Sequence, residues 1–414
     1  MKAARPLRIV LATVGSRGDV QPMLALAQTL AARGHVPVVA APPDFESWVR
    51  SLGFDFAGVG GDMQAFTRAN ADVFTGHPLA GLRTIKRFFA QEIPLQARQL
   101  VAACRGADAL AWAGLALAAP SVAEHLRLPA LGVFYSTCVI PSDRHPPPNV
   151  SRHGMAPWIN RLVWKLSRLS AAGIIGKPVN AARAALGMAP VVLHRHVWDH
   201  GQFALAVDET LFPRDPAWDA RRFAAANFIF FDDPAPLDPA LAAWLDAGEP
   251  PVFIGFGSMS GRGTERVEGM IANAVGASGR RCVVGAGWAG LGDRSPLPPG
   301  WRVVRDVPHA LLFPRMAAIV HHGGSGTMAQ ALRAGVPQVV LPLILDQYHH
   351  AHRLHLAGLV PRPIPMEKIT EQGLTEAIAA ALALPPGPRL AVAQRLQATD
   401  GRAAIAHRIE ALCA

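Results

Sequence analysis

Cysteine is scarce in this chain. Of 414 residues only Cys104, Cys138, Cys282 and Cys413 carry thiols, and no two stand at the spacing of a metal knuckle or a redox pair. A disulfide scaffold is excluded, and free thiols in a reducing cytoplasm are expected. Long apolar runs are missing as well. Half of the residues are hydrophobic, yet the longest unbroken stretch, around 109–119, is too short to cross a bilayer. The opening MKAARPLRIVLATVG starts basic, as a signal peptide does, but runs directly into Ser16, Arg17 and Asp19 without a cleavage pattern, and reads as a first core strand. There is no short-period repeat and no low-complexity tract. A net charge of +10 suits polyanions. The arginines are scattered, however, and no recognised motif accompanies them, so a nucleic-acid partner is not expected.

What is present is a repeated alternation. A chain of this length exceeds one ordinary core, so two domains are expected. Residues 7–15 read as an apolar strand, 20–33 as a helix, 36–41 as a second strand and 45–52 as a second helix, the pattern of a doubly wound α/β sheet. Further strands fit 109–113, 130–135 and 203–207, and 61–100 has helical composition. The segment DDPAPLDP, from Asp232, is a linker signature. A second alternation follows at 251–257, 281–285, 301–304 and 317–320, and the chain beyond Pro385 reads as helices. The expected division is 1–232, 233–396, and 397–414 as a terminal helix that packs back on the first domain.

The most informative stretch is 317–347, AAIVHHGGSGTMAQALRAGVPQVVLPLILDQ. It reads as a buried strand (317–320), a glycine turn (321–326) and a helix (327–334) stopped by Gly335. Glycines let backbone approach a phosphate closely, and the free N–H groups and positive end of the next helix attract negative charge. His322 and Thr327 flank the turn. Residues 338–345 read as a second strand that delivers Asp346 and Gln347 at its carboxyl end, where ligands bind in open parallel sheets. The plainer reading makes Gly323, Gly324 and Gly326 a turn only, and Asp346 a helix cap.

With HHGGSGT and the terminal DQ, the chain resembles the family 1 glycosyltransferases of the two-domain GT-B type, above all the bacterial natural-product, rhamnolipid-type and sterol members. The resemblance implies two Rossmann-like domains facing across a cleft, the first for the acceptor and the second for the sugar nucleotide. It implies that His322 and Thr327, with Gly324, Ser325 and Gly326 between them, contact the donor diphosphate, and that Asp346 and Gln347 hold the sugar. Gln330 stands where the plant-type signature has Glu, which leaves UDP and dTDP both open. Further donor contacts fall to Ser258 in FIGFGSM, Trp288 in GWAG, and Val307 and His309 in RDVPHALLFPRM; Trp288 reads equally well as core.

The first glycine loop, GSRGD at 15–19, lacks GxGxxG spacing, and the second strand ends Ala40, Ala41, Pro42 without an acid for a ribose, so hydride transfer is not expected. In the resembled family this loop presents the base that activates the acceptor. Here GDVQP places Asp19 at that point. A hydroxyl attacking an anomeric carbon must lose its proton, and a positioned carboxylate can take it. Asp19 also reads as an N-cap for a helix starting near Val20. No paired acids occur at metal spacing, and the resemblance implies an inverting, metal-independent reaction with no cofactor beyond the sugar-nucleotide substrate.

The resemblance places the acceptor pocket at 62–89 and 134–150, with Phe66, Phe74, Phe88, Phe134 and Tyr135 as lining. Such a lining fits a hydrophobic alcohol or phenol: a sterol, polyketide, flavonoid or hydroxy-lipid. At 157–172, Arg161, Lys165 and Arg168 recur on one helical face, with Trp158, Ile159, Leu162, Trp164 and Leu166 largely around the rest. This reads as a solvated face over a packed one, or as a peripheral contact with the inner face of a membrane. His349, His350, His352 and His355 read as a solvated helix rather than a metal site. A same-fold sugar-nucleotide epimerase and a non-catalytic sugar-nucleotide-binding protein are the alternative functions.

Overall fold

The computed structural model describes residues 5–70, 78–199, 201–257, 270, 273–276, 279–287, 298 and 300–414. Two sheets organise them. The first contains β1 (Arg8–Val14), β2 (Val36–Ala41), β3 (Asp55–Gly58), β4 (Ala109–Gly114), β5 (Ala130–Phe134), β6 (Gln202–Leu205) and β7 (Phe223–Ala225), in the order β3-β2-β1-β4-β5-β6-β7. The second contains β8 (Val252–Gly255), β9 (Cys282–Gly285), β10 (Trp301–Val304), β11 (Ala318–His321) and β12 (Gln338–Val340), in the order β10-β9-β8-β11-β12. Neighbouring strands pair in parallel, as Ile9 does with both Pro37 and Ala109. The sequence-derived α/β reading and its two doubly wound sheets are the architecture found.

The centre of each sheet explains its apolar sequence. Parallel strands are covered on both faces, so they need hydrophobic residues at every position. In β1, Val10, Ala12 and Val14 enter one buried cluster while Ile9 and Leu11 enter another. The first of these clusters also takes in Met328, Val340, Leu354 and Leu396 from the second half. Asp208, itself buried, receives both Arg395 Nε and Nη2 at 2.9 and 3.0 Å across the same junction. The last helix, Gly401–Cys413, lies against the helix Arg17–Ala32 and against β4 and β5, with Arg33 and His35 both bonded to Glu410. None of the described helices is long and apolar enough to cross a membrane.

Two boundaries differ from the sequence reading. The first helix begins at Arg17 rather than near Val20, because Ser16 is its N-cap. The run 338–345 is not one strand: β12 stops at Val340, and Pro342 has no N–H to extend a ladder. The N–H groups of Leu343 and Ile344 instead donate to Gln347 Oε1 at 2.8 and 3.1 Å.

Candidate active site

The carboxyl ends of β1, β4 and β5 meet at Asp19. Ser16 N–H donates to Asp19 Oδ2 at 2.8 Å, Ser16 Oγ donates to the same oxygen at 3.2 Å, and Ser16 Oγ accepts from Gly18 N–H at 3.3 Å. This is a capping box with Asp19 as its third helical residue, so the carboxylate is fixed by the helix start without being its N-cap. Among the described residues no hydrogen bond takes up Oδ1. Two glycines make room for the group. A Cβ at Gly15 would collide with the carboxylate, and one at Gly114 would stand 2.6 Å from the Val14 carbonyl and 3.0 Å from Asp19 Oδ1. Gly114 also has φ +57°, where other residues are strained. The backbone carbonyl of Asp19 accepts from Thr13 Oγ1 and from the Tyr135 hydroxyl, each at 3.3 Å. Burial pushes the Asp19 carboxyl up to about 6 against the pull of the Ser16 bonds, and the negative charge of Asp346 adds to the rise.

The opposing wall is built by the turn after β11. Buried His321 accepts at Nδ1 from Gly323 N–H at 3.0 Å, which makes Nε2 the protonated nitrogen that donates to Gln338 Oε1 at 3.0 Å. It is a strut for the turn. His322 points the other way, its ring lying over Gly324 and against Gly257. Burial holds it neutral, down to about 4. Its Nδ1 is buried with no hydrogen-bond partner among the described residues. The helix Ser325–Ala334 then starts from Gly324, which offers no side chain as a cap, so its first N–H groups and the neutral imidazole together form a donor set suited to an anion. Gly335, at φ +66°, stops the helix as the sequence implies. Ser325 Oγ does not face a ligand alone: it donates to the Tyr135 carbonyl at 3.2 Å, tying this turn to the end of β5.

Asp346 follows Leu345 at the start of the helix Gln347–Leu356. No side-chain bond caps that helix, so the carboxylate is not spent on capping. Its Oδ2 lies 3.7 Å from His350 Nε2, while His350 Nδ1 donates to the Gly323 carbonyl at 2.8 Å. Gln347 is buried, and its amide oxygen organises the loop before it. Arg17, in the first glycine loop, reaches Asp306 at 2.5 Å and stacks over Trp48 at 4.4 Å. Val307 follows Asp306 directly; His309 stacks on Phe313 at 4.3 Å, and burial, with Arg17 nearby, lowers it to about 4.

The two loops therefore oppose each other at the carboxyl ends of two parallel sheets, and known proteins share this two-sheet fold. Residues 9–138 match the glycosyltransferase family 28 N-terminal domain, and residues 274–404 match the erythromycin biosynthesis protein CIII-like C-terminal domain. The chain is 34% identical over 412 residues to the glycosyltransferase GtfE of Amycolatopsis orientalis, spanning 97% of this chain and 96% of that one. It is 35% identical over 415 residues to the vancomycin aglycone glucosyltransferase of the same organism, spanning 97% of each. The chain belongs to the family 1 glycosyltransferases of the GT-B type. A sterol 3-beta-glucosyltransferase of Arabidopsis thaliana is 29% identical over 90% of this chain, which spans 60% of that protein. Among solved structures, the glycosyltransferase of kitacinnamycin superposes with a TM-score of 0.74 at 21% identity, over 99% of this chain and 100% of that one. VinC, solved in complex with dTDP, superposes with a TM-score of 0.68 at 21% identity, over 98% and 99%.

Within this glycosyltransferase the remaining sequence-derived residues fall into three groups. Ser258, Trp288 and Phe74 lie outside the described residues. The Phe66 and Phe88 rings lie 4.3 Å apart in a tilted contact, with Phe89 5.3 Å from Phe88, giving a half-buried aromatic group between the helices Met63–Ala69 and Pro78–Ala103. The Phe134 ring lies among Trp112, Trp198 and Phe203, each 5.4–5.5 Å away, and is partly buried against the core. The reading of the histidine run is corrected. His349 and His350 are buried, because the helix carrying them wedges against the first domain, where His349 Nε2 meets Thr137 Oγ1 at 3.0 Å and its ring lies 5.1 Å from that of His145. Among the described residues no group of three His, Cys, Asp or Glu is arranged to hold a metal ion.

Sequence reasoning missed the supports. Ser16 and Gly114 shape the Asp19 carboxylate, and buried Glu92 accepts from Gly61 N–H at 3.2 Å while Gln96 Nε2 donates to the Leu115 carbonyl at 3.1 Å, joining the loops after β3 and β4. The signal for the last pair was available: Glu92, Gln96 and Gln99 form a polar line at helical spacing in an otherwise packed face.

Proposed function

We propose that this glycosyltransferase moves a hexose from a UDP- or dTDP-sugar to a hydroxyl of a hydrophobic acceptor, with inversion and without a metal. In this reading the acceptor O–H gives its proton to Asp19 Oδ1 as its oxygen bonds to the anomeric carbon, and the bond from that carbon to the nucleoside diphosphate breaks. The leaving diphosphate takes the negative charge onto the His322–Thr327 turn, whose donors are oriented before the reaction begins. Asp346 and Gln347 hold sugar hydroxyls, and Val307 and His309 lie along the nucleoside.

The observation that carries the reading is the Asp19 carboxylate: fixed through one oxygen by Ser16, unbonded at the other among the described residues, raised to about 6 and electrostatically coupled to Asp346 from the opposite half. A base with such a value is largely ionised at neutral pH yet still basic enough to accept a proton. Relatives support the acceptor class, since those named act on the vancomycin aglycone and on sterols. The half-buried Phe66, Phe88 and Phe89 group supplies apolar surface for such a compound. The test is a screen of UDP- and dTDP-hexoses against sterol, polyketide, flavonoid and hydroxy-lipid acceptors, read by mass. A product one hexosyl unit heavier with a β-linkage from an α-linked donor supports the reading. An altered free sugar nucleotide formed without any acceptor supports an epimerase and overturns it.

A further inference from the structure

The helix Pro157–Ala171 reverses the usual use of its apolar residues. Its buried residues are Asn160 and Trp164. Asn160 Nδ2 donates to the Asp143 carbonyl at 2.8 Å and Trp164 Nε1 to the His145 carbonyl at 2.9 Å, so a mixed polar and aromatic side holds the helix to the loop 141–149. The side turned to solvent carries Trp158, Leu162, Leu166 and Leu169, exposed to 62%, 49%, 57% and 64%. On a helical wheel these four fall within an arc of roughly 80°. Arg161, Lys165 and Arg168 run along one flank of that arc, and the helix contains no acid. Arg161 lies 3.0 Å from Asp143, whereas among the described residues Lys165 and Arg168 have no ion-pair partner. The packed-face reading of the sequence is thus corrected: most of the large apolar residues face water.

An exposed apolar stripe needs an occupant. A second copy of the helix is a poor one, because a paired seam would bring the basic flanks of both copies together with no acid in either helix to neutralise them. A surface that is apolar beneath and negative above fits both features at once, and the chain's net charge of +10 favours it at longer range. We propose that this helix docks the enzyme on an anionic lipid bilayer, with the Trp158–Leu169 stripe in the acyl boundary and Lys165 and Arg168 at the headgroups.

Docking has a consequence for substrate supply, and this step rests on the acceptor reading given above. Asn160 and Trp164 grip the loop that runs on to Asn149, which bonds to Leu345 beside Asp346. The acceptor loop therefore stands next to the docked helix, and a hydroxyl-bearing amphiphile resident in the bilayer reaches the site without crossing water.

The experiment uses the full chain and co-sedimentation with phosphatidylcholine vesicles, with and without phosphatidylglycerol. The enzyme is expected to pellet with the anionic vesicles and to stay in solution with the neutral ones. Leu162→Ser/Leu166→Ser and Lys165→Glu/Arg168→Glu should each weaken anionic-vesicle binding by roughly 10-fold or more. Because the changed side chains are exposed, both variants should keep their circular dichroism and their turnover of a water-soluble acceptor without vesicles. Equal sedimentation of all three proteins overturns the proposal. So does a dimer, seen by light scattering, that Leu162→Ser/Leu166→Ser dissolves while no protein binds vesicles. Vesicle binding with no glycosyl transfer across the whole panel would leave the docking intact and remove the acceptor reading instead.

Discussion

Asn149 and Leu345 clasp one another across the two halves of the enzyme: Leu345 N–H donates to Asn149 Oδ1 at 2.6 Å, and Asn149 N–H donates to the Leu345 carbonyl at 3.2 Å. Both residues are non-glycine and both stand in the left-handed region, at φ 70° and 54°. Backbone of this kind persists only where its surroundings hold it. Each residue supplies the bond that holds the other, and the next residue is Asp346. The acceptor-side loop thereby fixes the backbone from which the opposing carboxylate projects.

Asn149→Ala removes the acceptor for Leu345 N–H and should cost about 1–2 kcal/mol of stability, measured by urea unfolding. The KM for sugar nucleotide should rise several-fold while the Kd of the bare nucleoside diphosphate is unchanged. Asn149→Gly keeps the left-handed backbone but not the bond, so it should share the KM effect. A wild-type KM in both variants would show that Asp346 is positioned without the clasp.

Asp19→Asn retains an oxygen for Ser16 N–H and removes the base. Transfer to an alcohol should fall by roughly 100-fold or more with donor affinity preserved. Phenols, which lose a proton more readily, should suffer less. Full activity on an aliphatic alcohol would falsify the assignment of Asp19.

The raised Asp19 carboxyl also predicts opposite effects of pH on rate and stability. With a folded value of about 6, the ionised form is depleted as pH drops through 6, so kcat/KM for alcohols should decline there. Stability has the reverse sign. The folded chain holds this proton more tightly than the unfolded chain, so the group favours folding at low pH and that contribution is lost as pH rises from its ordinary value of 3.8 to about 6. Asp19→Asn should then melt above the wild type at pH 8, with the gap closing near pH 4. A lower melting temperature at pH 8 would mean that the capping box outweighs the cost of the buried charge.

His322 and Asp346 should separate nucleotide from sugar. His322→Ala should weaken UDP and dTDP binding by roughly 10-fold or more in calorimetry, the loss of a hydrogen bond to a charged group. Asp346→Ala should weaken the intact sugar nucleotide by a similar factor and the nucleoside diphosphate little. Equal losses for both ligands in Asp346→Ala would give it a structural role.

Much of the fold was legible because its signals are local. Apolar runs at β1, β4, β8 and β11 answer to burial on both faces, and Gly335 ends its helix because its own φ is positive. The turn at 321–326 was legible for the same reason. The short β3 and β7 escaped, since strands of four and three residues are too short to show a period, and β12 was drawn too long because 341–345 is as apolar as a strand.

Facing was not local. The sequence of 157–171 contains a periodic apolar stripe, but both the Trp158 and the Trp164 sides carry large rings, and only packing against the loop at 143–145 decides which one is buried. The same holds for His349 and His350, polar in sequence and buried because their helix meets the other half, and for Gly114, whose missing side chain matters because the chain brings Asp19 above it. Composition and periodicity determined which segments became strands, turns and helices, since those depend on each residue's own backbone and side chain. Which side chains share the site was decided by tertiary structure, since a neighbour distant in sequence leaves no mark on the segment it touches.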